Sequence, residues 1–188
     1  MPLAGALPSN LPQIILITGN MAAGKSSVAQ ALAEQLPRSV HLRGDSFRRM
    51  IVNGRAPMSA DLSDEAIRQL HLRYRITATV AGLYADAGFT VVCQDILIGV
   101  GLPDILAAYR PYSLALIVLC PDPAVIAQRE AQRAKRGYQD AAEIETFDRI
   151  LRQETPRLGY WLDSSHMSVD ETVAALLANL PQALIESG

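Results

Sequence analysis

The segment Gln13-Ile14-Ile15-Leu16-Ile17-Thr18 is an unbroken apolar run, rich in β-branched residues and bounded by Gly19. Such a run suits a strand covered on both faces, as in a parallel sheet, rather than the alternation of a half-exposed strand. Past Gly24 the period changes. Val28, Leu32 and Leu36 recur at helical spacing until Pro37 stops the helix. Val40 and Leu42 mark a short second strand that runs into Gly44-Asp45. Ser63, followed by Asp64 and Glu65, caps a long helix expected to reach about Ala87, with Gly88 ending it. Thr90 to Cys93 reads as a third strand and Leu114 to Cys120 as a fourth, with a short helix near Pro103 to Tyr109 between them. Asp122-Pro123 opens another helix, since proline is harmless where the first helical N–H has no partner anyway. Tyr160-Trp161-Leu162 is a short fifth strand, and Ser168-Val169-Asp170-Glu171 has the form of a capping box on the last helix. Strands alternating with helices predict a three-layer α/β sandwich, a parallel sheet with helices on both faces.

Composition narrows the classes. The chain has 188 residues, 49% hydrophobic and 19% charged, which suits one globular domain with a real core. Its formal net charge of −2 argues against a nucleic-acid binder that works by neutralising phosphates. No stretch is long and apolar enough to span a bilayer. Residues 1–11 are rich in Pro and Ala, with no basic side chain, and read as a flexible terminus rather than a signal peptide; 12–188 is then a single domain. Cys93 and Cys120 both fall in predicted strands and are expected to be buried, unbridged thiols, which fits the cytoplasm. His41, His71 and His166 have no metal-type spacing. The pattern carries no sign of an oligomeric state.

The first predicted strand ends in Gly19-Asn20-Met21-Ala22-Ala23-Gly24-Lys25-Ser26, a G-x-x-x-x-G-K-S phosphate loop followed directly by a helix. Gly19 and Gly24 permit backbone angles and close approaches that a Cβ would obstruct. The N–H groups from Asn20, Met21, Ala22 and Ala23 onward, through Ser26 and Ser27 at the helix start, then face a triphosphate, where the helix dipole favours negative charge. Lys25 should reach the β- and γ-phosphates, and the Ser26 hydroxyl should ligate Mg²⁺. ATP with Mg²⁺ is the expected cofactor. A guanine-reading N-K-x-D segment is absent from the sequence, and the chain is short for a motor ATPase with its own coupling elements. The small kinases remain, in which phosphoryl transfer is mostly positioning and electrostatics.

Four segments together resemble the P-loop small-molecule kinases, in particular the chloramphenicol phosphotransferase-like, gluconate kinase-like and zeta-toxin-like group. They are the phosphate loop, Gly44-Asp45-Ser46-Phe47, the stretch from Arg129 to Arg136, and Leu162-Asp163-Ser164-Ser165. The resemblance implies a five-stranded parallel sheet flanked by helices, with a small helical lid over about residues 129–145.

Asp45 should close the second strand on the sheet edge that carries the phosphate loop, where open α/β sheets bind ligands. There it could accept the proton of an attacking hydroxyl, the role or an orienting one that the resemblance implies; alternatively it caps a helix starting near Phe47. Asp95 closes its strand as a degenerate Walker B-like acid, for Mg²⁺ or for the acceptor, or merely ends the strand. Arg129, Arg133 and Arg136 follow at i, i+4 and i+7, along one helix face. By resemblance, Arg133 and Arg136 lead as phosphate contacts from the lid, and Arg129 lies beside the adenine or α-phosphate. The resemblance also puts the backbone of Asp163, Ser164 and Ser165 at the adenine edge. The acceptor pocket is expected from Ser46 to Ser63 and the long helix, with Phe47 and Arg48 beside Asp45 and Asp95. The expected activity is transfer of the ATP γ-phosphate to a hydroxyl of a small molecule, a metabolite or an antibiotic. Rival readings are a nucleoside or nucleotide kinase, which would put Arg48, Arg49 or Arg55 on an anionic acceptor, and an ATP-sensing module without turnover.

Overall fold

The computed structural model describes residues 10–58, 62–132 and 137–186. The apolar runs become the middle of a sheet. β1 (Ile14–Gly19) and β4 (Leu114–Leu119) are buried along their whole length, and β3 (Thr90–Gln94) nearly so. With β2 (Ser39–Arg43) and β5 (Tyr160–Leu162) they form parallel strands in the order β2-β3-β1-β4-β5. Side chains alternate between the two faces of each strand. Ile14, Leu16, Val91, Cys93, Leu116 and Val118 face Ala78, Ala81 and Ala85 of α3 (Asp64–Asp86) and Leu102 and Leu106 of α4 (Leu102–Ala107). Ile15, Ile17, Val92, Ile117 and Leu119 face Val28, Ala29 and Leu32 of α1 (Lys25–Gln35) and Val173 and Leu176 of α7 (Val169–Ala178). The three-layer sandwich is as expected, and a run apolar at every position is what two covered faces require.

The predicted caps are present. The Ser63 hydroxyl accepts from the Ala66 N–H, Asp122 caps α5 (Pro123–Ala131), and both halves of the Ser168/Glu171 box are made. Three features add to the pattern. A two-residue strand, β6 (Leu184–Ile185), pairs antiparallel with β4 at Leu114 and Ala115, so the five parallel strands gain a sixth. A short α2 (Asp45–Arg49) follows β2 immediately. After α6 (Ala141–Arg149) the chain makes a π-helical turn over Ile150–Glu154, from which Arg152 donates to the carbonyls of Cys120 and Pro121 at the end of β4. Cys93 and Cys120 are buried and unbridged. No helix among the described residues is long and apolar enough to cross a membrane. Residues 1–9, most of the stretch expected to be flexible, lie outside the described residues.

Candidate functional site

The registers bring three strand ends to one edge. Ile17 and Arg43 both lie beside Gln94, the Gly44 N–H donates to the Gln94 carbonyl, and the Asp95 N–H donates to that of Ile17. The loop after β1, Asp45 after β2 and Asp95 after β3 therefore share a single cavity of about 580 Å³.

One wall is the phosphate loop. Gly19 has φ +138°, and a Cβ there would sit 2.3 Å from the Leu119 carbonyl oxygen, so the close packing of β1 on β4 demands glycine. Ala22 takes a left-handed φ of 59°, unusual for a residue with a Cβ, just before Gly24 caps α1. The turn folds Lys25 back over its own loop, where Nζ donates to the Gly19 and Asn20 carbonyls at 2.8 and 2.7 Å. Met21, Ala22, Gly24, Lys25, Ser26 and Ser27 line the cavity, while Gly19, Asn20 and Ala23 form the loop behind them. Asn20 is fully buried, and neither polar atom of its side chain has a hydrogen-bond partner.

The opposite wall carries the carboxylates. Asp45 is the first residue of α2, its cap is Gly44, and its side chain makes no capping hydrogen bond. The capping alternative is thereby corrected: the helix starts two residues before Phe47 because Gly44 already has helical angles. The Asp45 carboxylate lies 3.1 Å from Arg49 Nη2 and 3.7 Å from Arg43 Nε, and its Oδ1 has no hydrogen-bond partner. Asp95 is 5% exposed. Its Oδ1 meets Arg73 Nη2 at 3.0 Å and accepts from the Ile96 N–H at 2.8 Å, and Oδ2 has no hydrogen-bond partner. Burial raises this carboxyl above the ordinary carboxylate value; Arg73, the Ile96 N–H and Lys25 pull the other way without cancelling it. The following turn is fixed by Thr18, whose hydroxyl donates to the Leu97 carbonyl and accepts from its N–H. Tyr74 donates to the Ile96 carbonyl at 2.9 Å, and burial, then Asp95, pushes its phenol up to about 12, so it stays a donor.

Arg129 bridges the cavity mouth, donating to the carbonyls of Ala23 at 3.5 Å and Ser164 at 3.0 Å. It thus ties the phosphate loop to Asp163-Ser164-Ser165, although none of those three lines the cavity. Instead the Asp163 carboxylate accepts from the Ser165 N–H and hydroxyl, which holds it below the ordinary carboxylate value. Phe47 and Arg48 are also set back from the cavity wall. Arg133 and Arg136 lie outside the described residues. α5 ends at Ala131 with Gln132 as its cap, and of the three arginines only Arg129 lies among the described residues. Glu130, a buried carboxylate on α5, accepts from the N–H groups of Gly137 and Tyr138. Tyr138 then donates to the Met21 carbonyl, and Tyr138, Ile144 and Ile126 pack against Met21 and Ala22. Of the segment expected to be a lid, Tyr138 and Ile144 thus rest on the phosphate loop.

Sequence reasoning missed Arg73, which reads as one more solvated arginine on a long helix. Its signal was its place on the stripe of Ala66, Thr77, Ala81 and Ala85, all buried on α3.

The family model described as AAA domain (AAA_33) matches residues 14–156, from the start of β1 through the π-helical turn. The chain belongs to this family. Solved structures share the fold. An unliganded sugar kinase from Janibacter sp. is 20% identical with a TM-score of 0.67, covering 90% of this chain and 95% of that one. The tunicamycin resistance protein of Deinococcus radiodurans is 15% identical with a TM-score of 0.65, over 92% of this chain and 98% of that one. The APS kinase of Mycobacterium tuberculosis, in complex with AMPPNP and APS, is 19% identical with a TM-score of 0.64, over 89% and 96%. At these identities the likeness shows the fold: a P-loop kinase-like α/β sandwich, as the resemblance implied. No curated protein matches the chain in a sequence comparison.

Proposed function

We propose that this protein is an ATP-dependent phosphotransferase that moves the γ-phosphate of ATP to a hydroxyl of a small molecule. The observation that carries it is that the phosphate loop and two strand-end carboxylates, Asp45 and Asp95, face one cavity. A nucleotide-binding loop alone needs only the first of these. The loop N–H groups and Lys25 bind the phosphates, and Arg129 adds a guanidinium contact, with Arg133 and Arg136 as further phosphate partners by the resemblance. Asp45 orients the acceptor hydroxyl and takes its proton. The acceptor oxygen forms a bond to the γ-phosphorus, the bond from that phosphorus to the β–γ bridging oxygen breaks, and ADP leaves. Ser26 and Asp95 fit Mg²⁺, since both line the cavity and Asp95 Oδ2 has no other bond; the ion would neutralise phosphate charge. The two buried, unbridged thiols agree with a reducing compartment, which we take to be the cytoplasm.

The test is ADP release over a panel of hydroxyl compounds, with Lys25→Ala as the blank. Wild-type protein should release ADP only with a suitable acceptor, and the variant should not. Nucleotide binding without turnover on any acceptor would replace the kinase with an ATP-sensing module.

A further inference from the structure

The buried polar side chains that line the cavity are Lys25, Arg73, Gln94 and Asp95. Lys25 is bonded to its own loop, and Arg73 and Asp95 hold each other. Gln94 is different. It is 4% exposed, and its side chain makes no hydrogen bond to any described residue. The Asn20 amide is sealed inside the protein, whereas that of Gln94 opens on the cavity. Buried polar groups are almost always paired, so an unpaired carboxamide on a cavity wall is left for a ligand. The strand register says which ligand. Ile17, Gln94 and Arg43 are neighbours across three strands and share a face of the sheet. That face carries α1: Val92, two residues before Gln94, packs among α1 side chains, and His41, two before Arg43, meets Gln30 of α1. Asp95 leans the other way, to Arg73 on α3. The Gly44 N–H donates to the Gln94 carbonyl, so the strand end that carries Asp45 is fastened to Gln94 itself. Gln94 therefore enters the acceptor end from the face opposite to Asp95. Phosphates are served by pure donors, the loop N–H groups with Lys25 and Arg129. Half of a carboxamide is an acceptor oxygen, which phosphate oxygens repel.

We propose that Gln94 is a specificity-determining residue that hydrogen-bonds a second, uncharged polar group of the acceptor, a hydroxyl or amide on a carbon near the hydroxyl held at Asp45. This rests on the phosphotransferase reading and narrows its substrate class to compounds that are neutral and multiply hydrogen-bonding at the reacting end. A carboxamide both accepts and donates, as a hydroxyl and an amide do, and it gives a charged group no advantage. A site built to hydrogen-bond a substrate hydroxyl rejects the analogue lacking it, because the buried partner is then left unpaired.

Gln94→Leu keeps the bulk of the side chain and removes its hydrogen bonds, and three measurements read the result. Without ligand, the variant should melt no lower than the wild type, because the amide has no bond to a described residue to lose. A lower melting temperature would make Gln94 a structural residue and overturn the inference. AMPPNP with Mg²⁺, titrated by calorimetry, should bind both proteins within ~3-fold. A larger loss would put Gln94 on the nucleotide or its metal and overturn the inference as well. Steady-state ADP release is then compared within pairs: glycerol against 1,3-propanediol, ribose against 2-deoxyribose, glucose and N-acetylglucosamine against 2-deoxyglucose. Wild-type kcat/KM should favour the member with the neighbouring hydroxyl or amide by at least ~10-fold. Gln94→Leu should bring the pair to within ~3-fold by losing rate on that member alone. No preference in the wild type, a preference that survives in Gln94→Leu, or release only on compounds with a single hydroxyl overturns the inference while the kinase reading stands. No ADP release here or across the wider hydroxyl panel overturns both.

Discussion

Asp45 keeps its Oδ1 without a hydrogen-bond partner despite having two guanidinium neighbours, the condition a proton acceptor needs. Asp45→Asn should therefore bind ATP as the wild type does while transfer falls by roughly 10²–10⁴-fold. Equal transfer rates for the two proteins would leave Asp45 as a surface ion-pair partner only. His41 makes a different kind of prediction. Its Nδ1 meets Gln30, and burial first, then Arg43, lowers its pKa below 6.5, with Asp45 opposing. Below 6.5 the unfolded chain therefore binds more protons than the folded one, so stability rises with pH through that window and levels off above it. Melting curves between about pH 5 and pH 7.5 should show that slope, and His41→Gln should flatten it. At this scale the sequence was legible where a residue's role is set by its immediate neighbours, as for Lys25 in its loop. Arg73 was not, because its partner Asp95 reaches it only through the packing of α3 on β3.

At the scale of elements, the junction between β2 and α2 is the tightest point of the acceptor wall. A Cβ on Gly44 would fall 2.1 Å from Asp95 Oδ2, on a carboxylate already fixed by Arg73 and the Ile96 N–H. Gly44→Ala should cost about 1–3 kcal/mol in denaturant unfolding and reduce transfer while sparing ATP affinity. A variant with wild-type stability would show that Asp95 can shift freely. Ser168→Ala removes one half of a capping box at α7 and should cost about 1 kcal/mol by the same measurement. The capped helices and unbroken strands were legible because their signals lie within a few residues. β6 was not: two residues acquire strand geometry only by pairing with Leu114 and Ala115, far earlier in the chain. The bonds from the Gly137 and Tyr138 N–H groups to Glu130 were hidden for a related reason, since they join residues seven and eight apart.

Across the whole molecule, the phosphate loop is continuous with the core, from buried β1 through Lys25 into α1. Nucleotide binding should therefore stabilise the entire fold. At about 100 times Kd, AMPPNP should add roughly 2.7 kcal/mol and raise the melting temperature, and Lys25→Ala should lose most of that gain. An unchanged melting temperature in the wild type would mean that the loop does not hold nucleotide. The parallel sheet was legible from the alternation of strands and helices, yet the balance of charge in the cavity was not, because it is assembled from five separate segments. The donor side is built from strands with almost no exposed surface. The segment leading from α2 to α3 is different: Met50 is 68% exposed and Val52 89%, and the segment is fastened by Arg48 and Gln69. Substitution in this segment should therefore carry little penalty to folding, whereas Gly19 in the phosphate loop has no room for a Cβ. Related proteins are therefore expected to diverge first between residues 50 and 58.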